Sequence, residues 1–190
     1  MNATRMSTAR WLLLGNLVVS WYNVAVIWLM QVMIYPSWAL ARTADFGDLQ
    51  GFHFWRLFSV VFPQAGLSVL GAVAMLRWCP PRIPVRAVWL GISLQVAAWA
   101  LTAAFWGRWQ AQIALPVPDR PLPAIGPANR DLYHTLLTTH WVRVALLTAF
   151  GALLFWMAGS SFLSEQQWGE GIIHDARSHT QADRRQPIAR

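Results

Sequence analysis

Four stretches of this 190-residue chain contain no charged residue: residues 11–41, 57–76, 87–107 and 144–164. At a rise of about 1.5 Å per residue, each is long enough as a helix to cross a hydrocarbon core of about 30 Å. Arginines bound nearly every run, with Arg10 and Arg42, Arg56 and Arg77, Arg86 and Arg108, then Arg143 paired with Glu165. The pattern predicts an all-α membrane protein, a four-transmembrane-helix bundle with spans at about 11–35, 55–76, 86–107 and 140–163. A polar cytoplasmic tail is expected over 169–190.

With 56% hydrophobic residues, the spans and their connections consume nearly the whole chain, so no separate soluble domain is expected. A net charge of +7 would suggest nucleic acid in a soluble protein. Here the arginines gather at span ends, where they set topology and meet anionic headgroups of the lipid bilayer, and nucleic acid is not the expected partner. The single cysteine, Cys79, excludes an intrachain disulfide and any multi-cysteine metal site. The first run is twice the length of a signal-peptide core and is read as a membrane helix despite the small residues at 39–41.

Arginine counting gives an orientation. Nine lie at the N-terminus, the turn between spans two and three and the C-terminal tail, against six on the other face. The positive-inside rule then predicts both termini in the cytoplasm of a multi-pass protein of the bacterial inner membrane. The connection over 115–129 carries Pro116, Pro118, Pro121, Pro123 and Pro127 and is expected to be an extended loop. Asn129 can cap the helix that follows. Most of the thirteen tryptophans, Trp38 and Trp106 among them, fall near span ends and suggest an aromatic belt. Pro36 closes span one, Pro63 is expected to kink span two, and the segment from Ser178 is expected to be disordered.

No carboxylate lies within a span, which argues against a proton or sodium transporter built on buried acids and against a carboxylate-bridged di-iron centre. Three histidines, His53, His134 and His140, sit at helix entrances on the predicted periplasmic side. Imidazoles converging from two helices could hold a transition metal, although His134 and His140, six apart, do not share a helix face. Tyr133, His140 and Arg143, spaced by seven and three, do share one. Gln31 and Tyr35 share a face of span one, and Arg56 stands three residues after His53. An arginine in or beside a membrane helix must reach water, a headgroup, a carboxylate or an anionic ligand. Gln95 in span three is read as interhelical glue.

Residues 31–36 (Gln-Val-Met-Ile-Tyr-Pro), Phe52-His53, Leu132-Tyr133-His134 and residues 139–143 (Thr-His-Trp-Val-Arg) resemble a family of small bacterial four-helix membrane proteins, distantly similar to the anthrone-oxygenase-like membrane family. The resemblance implies the four-helix fold and an oxidoreductase ancestry. Where that family often carries a second histidine after the first and an asparagine before the tryptophan, this chain has Arg56 and His140. The expected site is therefore periplasmic, with Gln31, Tyr35, Arg56, Tyr133 and Arg143 as ligand-binding residues and His53, His134 and His140 as metal ligands. A transition metal, a quinone-like aromatic or an anion could occupy it, and a small membrane oxidoreductase is one reading. The alternative is a noncatalytic accessory subunit packed against other membrane subunits.

Overall fold

The computed structural model describes the backbone of residues 3–40, 46–80, 82–114 and 130–183, and the side chains of 5–40, 56, 58–80, 82–113 and 130–161. These residues are helical almost throughout, with no strand among them. In chain order they form α1 (Ala3–Leu29), a π-helical turn (Met30–Ile34), α2 (Tyr35–Trp38), α3 (Phe46–Arg77), α4 (Val85–Leu101), a second π-helical turn (Thr102–Trp106), α5 (Gly107–Ala114) and α6 (Arg130–Asp183). Four helical rods are long and apolar enough to cross a membrane: Arg5–Trp38, Phe58–Arg77, Val85–Ile113 and Arg130–Ser161. The proline-rich segment and the Asn129 cap fall outside the described residues.

Two of the rods run further than expected, for one reason. Pro36 does not end span one, because the chain first widens into a π turn in which the Tyr35 N–H reaches back five residues to the Met30 carbonyl. The wider turn gives the proline ring room and lets a helix resume as α2, with Pro36 in its first turn where no N–H is required. Span three repeats the device. The Gly107 N–H bonds to the Thr102 carbonyl, and the helix continues through Arg108 to Ala114. A Cβ at Gly107 would lie 2.9 Å from that carbonyl oxygen. α3 passes Pro63 unbroken. α6 extends through Ser178 to Asp183, so the backbone over 178–183 is helical rather than disordered. Its glutamines and alanines are adequate helix formers once the span has nucleated the helix.

α1 packs along both α3 and α6, and α4 packs on α6 and α3. One end of the core is apolar, with Leu13, Met75, Ile83, Phe150, Leu154 and Met157 interlocked. The other end is aromatic, with Tyr35, Trp38, Trp106 and Tyr133 around Met30, Ile113 and Leu136. Trp38 and Trp106 are thus inside, at 4% and 3% exposure, whereas Trp11, Trp78 and Trp89 face outward as a belt requires. A ladder of polar side chains joins the rods between these ends. Gln95 Nε2 donates to Ser68 Oγ at 2.8 Å, and Ser68 Oγ meets Ser20 Oγ at 3.0 Å. With its amide turned to satisfy both ends, Asn16 donates to the Ser68 carbonyl and accepts from the Ala72 N–H, each at 3.1 Å. The Gln95 bond supplies interhelical adhesion of the kind expected where hydrophobic burial offers none.

Asn16 can reach α3 because Gly71 has no side chain; a Cβ there would lie 2.8 Å from Asn16 Cγ. Gly71→Ala is expected to destabilise the protein by about 1 kcal/mol through overpacking. In an Asn16→Ala background the same change should cost nothing, and thermal unfolding of the four proteins in a double-mutant cycle checks this. Away from the ladder, Cys79 is half-buried and donates its Sγ–H to the Ile83 carbonyl at 3.4 Å. Burial pushes its thiol up, away from the reactive thiolate.

Candidate functional site

At the aromatic end of the molecule the two π turns face each other across α6. The first carries Gln31 and leads into Tyr35; the second carries Trp106; His140 of α6 stands between them, fully buried. π turns inside α-helices frequently occur at functional sites, and here both border the same imidazole. Tyr35 packs edge-on against the His140 ring at 4.8 Å between centroids, and Trp106 does so at 5.9 Å.

The hydrogen bonds around His140 define its tautomer. Gln31 Nε2 donates to the Leu137 carbonyl at 3.1 Å, which turns Gln31 Oε1 toward His140 Nδ1 at 2.8 Å. An amide oxygen only accepts, so Nδ1 carries the proton and Nε2 presents its lone pair. That lone pair receives the Tyr35 O–H at 3.3 Å. The Tyr35 oxygen in turn accepts from Gln110 Nε2. Tyr133 completes the frame, its hydroxyl donating to the Tyr35 backbone carbonyl at 2.9 Å while the Ala39 N–H turns to the Pro36 carbonyl. Trp106 Nε1 donates to Thr139 Oγ1 at 3.1 Å. Each ring nitrogen of His140 therefore has a partner.

Arg143, one helical turn from His140, has a different environment. It is 9% exposed, and its guanidinium lies over the Trp99 ring at 5.9 Å. No hydrogen bond or ion pair joins it to another group among the described residues. It lines a cavity of about 320 Å³ whose wall is mostly apolar and aromatic, with Ile27, Phe62 and Leu147 among the lining residues. Asn23, Gln95 and Gln110 add amides to this wall, and Gln110 connects the cavity to Tyr35. The buried indole N–H of Trp99, a residue of the same wall, has no hydrogen-bond partner among the described residues. Arg143 thus borders this space with no counter-charge among the described residues.

No family model, curated protein or solved structure matches the chain. What the site can do rests on its own groups. The structure brings Gln31, Tyr35, Tyr133, His140 and Arg143 to one end of the molecule, on the faces that their spacing predicted. It does not gather the three histidines. His134 is exposed while His140 is enclosed, and the side chain of His53 lies outside the described residues. Among the described residues no group of three His, Cys, Asp or Glu side chains is placed to hold a metal ion. Arg56 is exposed and does not line the cavity. Sequence reasoning passed over Trp99, Trp106 and Gln110 as site residues. Gln110 carried a signal, since Arg108 and Gln110 are polar at the end of an apolar run, but a tryptophan in such a run reads as belt.

Proposed function

We propose that this chain is a multi-pass protein of a bacterial inner membrane, a four-helix bundle with both termini cytoplasmic, whose cavity beside Arg143 binds a small amphipathic ligand through its acceptor oxygens. The observation that carries this reading is Arg143 itself, a buried cation bordering a cavity with no counter-charge among the described residues. Such a group is expensive in an apolar setting and marks a functional site by default. Its N–H groups would donate to a carboxylate or to a quinone-like carbonyl, while the aliphatic and aromatic wall covers the ligand's body. The Tyr35–His140–Gln31 network braces the wall through Gln110 and holds α2, α5 and α6 in register.

A metal centre is not proposed, because His140 has both ring nitrogens occupied and His134 points elsewhere. The accessory-subunit reading makes a contrary forecast. In mild detergent, dodecanoate or a short-chain benzoquinone should raise the Tm of the purified protein, and Ala111→Phe, which fills the cavity wall, should erase the rise. A Tm indifferent to both compounds, in a protein that co-purifies with a larger assembly, would replace the ligand site with the subunit role.

A further inference from the structure

Resting on that cavity being a ligand site, the geometry points to the charge and shape of its occupant: a single-chain anionic amphiphile, its carboxylate head on the Arg143 guanidinium and its chain passing Phe58 and Phe62 toward the bilayer. Arg143 is the one ionisable side chain among the described lining residues. A neutral carbonyl would accept its hydrogen bonds but leave a full positive charge in a low-dielectric wall, whereas a carboxylate cancels it and matches the guanidinium fork with two parallel hydrogen bonds. A phosphate monoester, carrying up to two negative charges near neutral pH, would overshoot the single cation.

The rim gives the direction of the chain. Phe58 and Phe62, stacked at 4.3 Å on one face of α3, both line the cavity and stay 45% and 47% exposed. Rings that line the cavity and yet remain nearly half exposed mark its open side, by which a chain would leave the site. The volume, about 320 Å³, is at the small end for ligand pockets and suits one chain better than a two-tailed phospholipid.

The test uses the full-length protein in nanodiscs of zwitterionic phosphatidylcholine, with 12-bromododecanoate and 12-bromododecanol as quenchers of tryptophan emission. The carboxylate should quench saturably with an affinity about tenfold or more above that of the alcohol. Arg143→Gln should reduce the carboxylate to about the level of the alcohol, and the saturable quenching that remains shows that the variant is folded. Acetate should not compete, because the chain supplies much of the binding. Equal affinities of acid and alcohol in the unaltered protein, both lost in Ala111→Phe, would overturn the anionic assignment and leave the cavity as a site for neutral ligands. Competition by acetate alone, or preference for a brominated phosphatidylglycerol, would overturn the single-chain assignment. No saturable quenching by either probe would remove the ligand site itself.

Discussion

Replacing Arg143 by Met is expected to make the ligand-free protein more stable, not less. A charged side chain at the middle of a membrane helix costs about 2.5–3.5 kcal/mol on insertion scales, and the contact with the Trp99 ring returns about 0.5–1 kcal/mol of it. With no ion pair or hydrogen bond to lose among the described residues, the neutral variant should gain about 1.5–3 kcal/mol, read as a raised Tm in mild detergent. The same variant should lose the stabilisation conferred by saturating dodecanoate, which at a hundredfold excess over Kd amounts to about 2.7 kcal/mol. Opposite signs for stability and binding are the mark of a residue retained for a ligand. A structural arginine would lower Tm when removed and leave the ligand response intact.

His140→Leu should do the reverse and be the most destabilising single change in the site. The imidazole is 0% exposed and joins Gln31 Oε1 to the Tyr35 hydroxyl. Leucine would strand both groups inside the protein, each costing about 1–3 kcal/mol, for a total near 2–4 kcal/mol once local relaxation is allowed. His134→Leu, six residues earlier on the exposed face, should change stability by less than about 0.5 kcal/mol. Thermal unfolding of the two variants side by side checks the contrast. Comparable losses would mean that the Tyr35–His140–Gln31 network contributes little to holding α2 against α6.

The positions of the membrane helices were legible because the constraint is one of charge: residues 57–76 lack any ionisable group and α3 duly carries them. The faces of Tyr133, His140 and Arg143 were legible for a similar reason, since helical spacing survives whatever the helix packs against. The π turns were not, because nothing in residues 30–34 or 102–106 distinguishes a turn of five residues from one of four until the neighbouring helices are in place. Those two turns carry the rods past Pro36 and Gly107 and swing Trp38 and Trp106 inward. Among the described residues the belt reading failed at Trp38 and Trp106, which are buried. The polar ladder was passed over, although Asn16 and Ser20, four apart, share the helix face that carries it. The cavity is a property of the gap between helices, and no local pattern records it.

The central claim, that Arg143 is a buried cation held for a ligand, is tested most directly by an experimental structure of the full-length protein in lipid nanodiscs supplied with dodecanoate. The expected result is ligand density in the cavity within about 3 Å of the guanidinium. Arg143 extended to the headgroups, or ion-paired with a carboxylate of its own chain beside an empty cavity, would contradict it.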